Sequence, residues 1–126
     1  MFPILHEHQQ PWPDEGNLRV EIPHQTVDIT VSPDAARRKA NAYLGLHVAM
    51  ALRASNPVLI LNNVPVWRLS IDLHLPHVGY VTTLGTLEVD ARTHNILPLT
   101  PAEITRFQDR ADELAARLAP DPTPAG

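Results

Sequence analysis

Residues 66–90 constrain this chain more than any other stretch. Trp67, Leu69, Ile71 and Leu73 alternate with Arg68, Ser70 and Asp72. A period of two puts the first set on one face and the second on the other, the pattern of a half-buried strand. Residues 78–90 form a second strand, with Leu87 and Val89 on one face and Glu88 and Asp90 on the other. Gly85 marks a bulge or bend within it. The Pro-containing connection at 74–77 is short, so the two strands are expected to be antiparallel neighbours. A sheet with one apolar face needs a second layer over that face.

Helices are the expected source of that layer. Ser32-Pro33-Asp34 combines an N-cap residue, a proline at the first helical position and an acid in the first turn. The spacing predicts a helix over 33–55, with Ala36, Ala40, Leu44, His47, Val48 and Ala51 on its core face. From Ala42 onward this helix is apolar almost all round, save His47 and Arg53, with Tyr43, Leu46, Met50 and Leu52 widening the stripe. Asn56-Pro57 is its expected end. A second helix starts at Thr100-Pro101-Ala102-Glu103, which reads as a capping box with Leu99 and Ile104 as its hydrophobic staple. Its apolar stripe is Ile104, Phe107, Ala111, Leu114, Ala115 and Leu118, and Pro120 stops it. Alternation at 17–22 and 25–31 predicts one or two further short strands. The expected fold class is α+β: a long helix packed on a small antiparallel sheet, with an additional C-terminal amphipathic helix.

Composition narrows the function classes. The 126 residues suit one domain. Without cysteine there are no disulfides, no thiol chemistry and no thiolate-built zinc site. Ten Lys+Arg against fourteen Asp+Glu leave a net charge of −4, which argues against a nucleic-acid binder. No apolar run approaches the roughly 18 residues of a membrane span, and residues 1–10 lack the pattern of a secretory signal, so a cytoplasmic protein is expected. Six of the thirteen prolines lie near the two ends. Residues 1–16 and 120–126 are therefore read as an extended Pro-rich tail and a disordered tail, flanking a single domain at 17–119.

The run Gly85-Thr86-Leu87-Glu88-Val89-Asp90-Ala91-Arg92-Thr93-His94-Asn95-Ile96 resembles the closing strand of PepSY-type domains. Those end in a glycine, an alternating strand and then Asp-Ala-x-Thr-Gly-x-Ile. The helix opened by Ser32-Pro33 and the Trp67 strand resemble the rest of that unit, so the likeness covers about residues 31–96. It implies a helix over an antiparallel sheet and a binding or inhibitory role, often toward peptidases. Where those domains carry glycine this chain carries His94, at a position expected to need positive φ. The segment also resembles small uncharacterised bacterial proteins.

Several residue groups invite a chemical reading, and each has a plainer one. Asp72-x-His74-x-x-His77 is the ligand-like cluster of the folded part, weighed against an ordinary loop. His6-Glu7-His8 puts two imidazoles in a tail, where a metal would have to order its own site. Glu88 and Asp90 share a strand face as an acid pair or as a solvated surface. Arg37-Arg38-Lys39 is a dense basic run or a solvated helix face. His47 is a core or interface histidine; buried between subunits, it would make association pH-dependent. Pro11-Trp12-Pro13 presents an aromatic in an extended arm suited to a partner's groove.

The leading expectation is a non-enzymatic protein-binding or regulatory module that self-associates as a homodimer and needs no cofactor, nucleic acid or membrane. A single small sheet covers one side of the predicted helix, so Tyr43, Leu46, His47 and Met50, with Trp12 as a further contact, are its candidate association residues. The alternatives are a small metal-dependent or hydrolase-like enzyme using Asp72, His74 and His77, and a peptidase-inhibitor-like or antitoxin-like partner protein.

Overall fold

The computed structural model describes residues 4–7, 18–22, 25–61 and 64–119. In chain order the elements are β1 (Ile4–Glu7), β2 (Leu18–Ile22), β3 (Gln25–Ile29), α1 (Pro33–His47), β4 (Leu52–Leu61), β5 (Val66–Leu75), β6 (Gly79–Asp90), β7 (Ile96–Leu97) and α2 (Pro101–Leu118). A five-stranded sheet runs β1-β4-β5-β6-β7, every neighbouring pair antiparallel, and β2-β3 forms a separate hairpin. The alternating run is the central strand of the larger sheet. Trp67, Leu69, Ile71 and Leu73 on β5 are all fully buried, and Leu59 and Val89 from the flanking strands join them.

The expected fold class is overturned. The dominant element is a curled antiparallel sheet, not a long helix. α1 ends at His47, and the residues read as its last turns begin β4. Leu52 pairs with Leu73 and Ala54 with Ile71, and both are buried there. Alanine, methionine and leucine favour helix by only tenths of a kcal/mol per residue, about what one buried strand pair supplies, so tertiary pairing wins. Asn56-Pro57 does not end a helix. It lies inside β4, at a register shift between Ser55 and Val58, with Asn56 at φ +52°. A bulge is where a strand accommodates proline.

α1 is short but well seated. Ser32 Oγ accepts the Ala35 N–H at 3.0 Å. Ala36, Ala40 and Leu44 form its buried stripe, two of them small enough to bring the helix backbone close to the sheet. Asn41 Oδ1 accepts the Ala54 N–H at 2.7 Å, joining helix to strand. Trp67 Nε1 donates to the Val31 carbonyl at 2.7 Å, and the Ala91 carbonyl accepts from Thr30 and Val31 at 3.1 and 3.0 Å. The entry to α1 is thus fixed to β5 and to the end of β6. His94 has the positive φ expected of it, +71°.

α2 has both halves of its capping box. Thr100 Oγ1 accepts the Glu103 N–H at 3.1 Å, and Glu103 accepts the Thr100 N–H at 3.0 Å. Phe107, Ala111 and Leu114 are buried. Gln108 donates to the Val48 carbonyl at 2.9 Å, which ties α2 to the end of α1. Gly85 lets the Phe107 ring approach β6: a Cβ there would lie 2.8 Å from the ring.

Two expectations follow. Gly85→Ala should lower stability by about 1–3 kcal/mol in urea denaturation, because the buried ring must move. In a Phe107→Leu background the same change should cost clearly less; an unchanged cost would show that the ring is not the obstacle. The Thr100 backbone and side chain hold the Glu103 carboxyl below its ordinary range. Its contribution is therefore present above the unfolded-state value and lost as pH falls through the folded-state value. The stability gap between wild type and Glu103→Ala, read from thermal melts, should narrow as pH drops from about 6 to about 3.

Candidate functional site

Arg68, Ser70 and His74 alternate with the core residues of β5 and are partly exposed, whereas Asp72, in the same alternation, is only 7% exposed. The pairing with β6 explains how a carboxylate is tolerated there. Ile71 pairs with Gly85, but the register then shifts, so that Asp72 faces Thr83 and not Leu84. A second shift after Leu73 sets His74 opposite Tyr80. Thr83 Oγ1 donates to one carboxylate oxygen at 2.7 Å and the Ser55 hydroxyl donates to the other. Tyr80 OH lies 3.1 Å from Thr83 Oγ1, and its ring meets the His74 ring edge-on at 5.8 Å. The first bulge thus replaces an apolar neighbour with a hydroxyl donor, and Ser55 on β4 supplies the other that the buried carboxylate requires.

This arrangement takes the predicted ligand cluster apart. Asp72 and His74 share a face of β5, but both Asp72 oxygens already accept hydroxyl hydrogen bonds. His77 sits exposed in the β5–β6 turn at φ +69°. Among the described residues no three His, Asp or Glu side chains are grouped to hold a metal. Glu88 and Asp90 also have structural work. Glu88 pairs with Arg68 at 3.0 Å, and Asp90 accepts the N–H groups of Arg92 and Thr93 at 2.8 and 2.9 Å, closing the turn after β6. The side chains of His6 and Glu7 and all of His8 and Trp12 lie outside the described residues.

The association residues separate into two groups. Tyr43 is half-buried, and its hydroxyl accepts the Leu99 N–H at 3.0 Å. His47, expected on the core face, is exposed, with its ring tilted against that of Tyr43 at 5.2 Å between centroids, while Val48, expected on the same face, is buried. His47 is the last residue of α1 and Val48 its C-cap. Leu52 is buried in β4. Leu46 and Met50 remain, 79% and 89% exposed.

Three depressions open around these two side chains. One, of about 670 Å³, is bounded by Arg37, Asn41, Gly45 and Arg53 as well as by both apolar residues. A second continues from Met50 and Arg53 to His74 and Pro76. A third runs from Leu46 to Lys39, His47 and Ile96. Sequence reasoning passed over Arg53, whose signal was a lone cation inside an otherwise apolar run. No helix among the described residues is long and apolar enough to cross a membrane. No family model, curated protein or solved structure matches the chain.

Removing one donor should reveal how the Asp72 carboxylate is kept. Thr83→Val is expected to destabilise by about 1–3 kcal/mol in urea denaturation, and Ser55→Ala by a similar amount. Added zinc should leave the melting temperature of the wild-type chain unchanged; a rise would restore the metal reading of Asp72, His74 and His77.

Proposed function

We propose that this chain is a non-enzymatic protein-binding module and that its recognition face is the surface around Leu46 and Met50. The observation that carries this reading is the exposure of these two side chains, four residues apart at the end of α1 and in the turn that follows. Scattered exposed apolar residues are ordinary. Two adjoining large ones beside concave surface are the usual mark of a contact site. The resemblance of residues 85–96 to PepSY-type domains points the same way, toward binding or inhibition. A cytoplasmic site of action is part of the same proposal.

The original ground for a homodimer was a helix running to Ser55 with an uncovered side. That helix ends at His47, so a second copy now rests only on Leu46 and Met50. The hydrolase-like reading has less support, because Asp72 is held by Ser55 and Thr83 and His77 stands apart in a turn.

Site-directed photocrosslinking tests the proposal. A crosslinker placed at position 46 or 50 of the full chain, in the cells that produce it, should give a discrete protein adduct. One placed at Asp112, exposed on α2, should give none. Equal labelling from both faces, or none from either, overturns the reading. The double variant Leu46→Asp with Met50→Asp should retain the wild-type unfolding free energy within about 0.5 kcal/mol per substitution, since surface changes rarely cost more, while abolishing the adduct formed from a crosslinker at Gly45.

A further inference from the structure

The formally charged side chains that line the recognition face are all cations. Arg37, Lys39 and Arg53 line the three depressions that meet Leu46 and Met50, with the imidazoles of His47 and His74, and no Asp or Glu lines any of them. Yet the chain as a whole carries more acid than base, fourteen against ten. Three of the ten Lys and Arg residues, Arg37, Lys39 and Arg53, are thus set beside the exposed apolar side chains, with no carboxylate in the same lining.

Two of these three cations are also available. Asp34 takes Arg37 at 2.6 Å and Arg38 at 3.3 Å, from the first turn of α1. Arg53 and Lys39 have no ion pair among the described residues. For Arg53 this has a structural cause. Its cross-strand neighbour is Asp72, the residue best placed to neutralise it. Asp72 is instead bound by Ser55 and, through the bulge in β6, by Thr83. The guanidinium is left exposed at the boundary shared by two depressions, beside Met50.

We infer that the occupant of this face is a segment of a partner protein in which an apolar anchor is flanked by side-chain carboxylates, the anchor packing on Leu46 and Met50 and the carboxylates meeting Arg53 and Lys39. The inference rests on the protein-binding reading and adds the partner's chemistry. It also decides between occupants. A second copy related by a two-fold axis would bring Arg53 and Lys39 against the same cations, which electrostatic complementarity opposes. Nucleic acid would satisfy the cations but not two exposed aliphatic side chains. An acidic apolar segment satisfies both, and arginine adds a planar fork that a carboxylate can bridge with two hydrogen bonds.

The test is selection of a random-peptide display library on the immobilised full chain, followed by fluorescence anisotropy with the enriched peptides. The inference expects peptides with apolar anchors and an excess of Asp and Glu. Their binding should disappear with Leu46→Asp/Met50→Asp and weaken about tenfold or more with Arg53→Glu at low salt, and replacing their acids by amides should do the same. Rising salt should weaken wild-type binding more than binding by Arg53→Gln. Apolar peptides without acid enrichment that still need Leu46 and Met50 would overturn the inference and leave the protein-binding reading standing. So would a concentration-dependent dimer in sedimentation that Leu46→Asp/Met50→Asp dissolves. A DNA duplex that displaces the peptides and binds more tightly would overturn the inference as well. No enrichment, or peptides indifferent to every variant, would overturn both.

Discussion

The apolar face of β5 is the constraint from which the rest of this structure follows. Four side chains at every second position, Trp67, Leu69, Ile71 and Leu73, are fully withdrawn from water. Burying side chains of this size stabilises by roughly 1.5–3 kcal/mol each, so exposing this row would consume most of a small domain's net stability. The strand must therefore be central, with a partner on each edge and helices over one face. β4 and β6 supply the edges and α1 and α2 the cover. Trp67 does more than fill volume. Its indole N–H binds the Val31 carbonyl, so the same side chain that anchors the sheet also fixes where α1 begins.

The opposite face of β5 obeys a different rule. There the sheet is open enough for Arg68, Ser70 and His74 to reach solvent, but Asp72 does not reach it. A buried carboxylate is tolerated only with donors around it. β6 meets that demand by inserting Leu84 and then Val81 as extra residues, each time changing which side chain faces β5. The bulges also contribute to the bending of the sheet, as bulges do. One local device thus has two consequences, a satisfied carboxylate on the outside and a more curled surface for the core inside.

Much of the framework was legible in the sequence because it depends on periods and caps. The alternation at 66–73 and 78–90, the capping box at Thr100 and the N-cap at Ser32 are local signals, and tertiary structure had no reason to overrule them. The helix predicted over 33–55 failed for a non-local reason. Ala49 to Leu52 carry strong helix formers, and Leu52 and Ala54 fit a strand's period as well as a helix's. Only the presence of Leu73 and Ile71 across the ladder decides between them. His47, the last residue of α1, is exposed although its spacing from Ala36, Ala40 and Leu44 suits the core face. The register shifts facing Asp72 leave no trace in the pattern either: a strand that reads Val-Thr-Thr-Leu-Gly-Thr-Leu does not announce which threonine its neighbour will meet. Of the candidate site, Leu46 and Met50 could be seen as residues needing an explanation. That Arg53 stands beside them with no ion pair among the described residues could not, because Asp72, its cross-strand neighbour, is held by Ser55 and Thr83.

This dependence ties the candidate surface to the interior of the sheet. Arg53 and Asp72 are cross-strand neighbours, and such pairs of opposite charge ordinarily attract. Here the carboxylate is bound by hydroxyl groups, deep enough to be 7% exposed, while the guanidinium projects into solvent beside Met50. Had Leu84 faced Asp72, the carboxylate would have lacked its Thr83 donor, with Arg53 the cation directly across the ladder from it. The bulge therefore separates two functions that a regular ladder would have merged. It lets a charge stay inside the fold as a structural group, while the cation across the ladder stands exposed beside Met50.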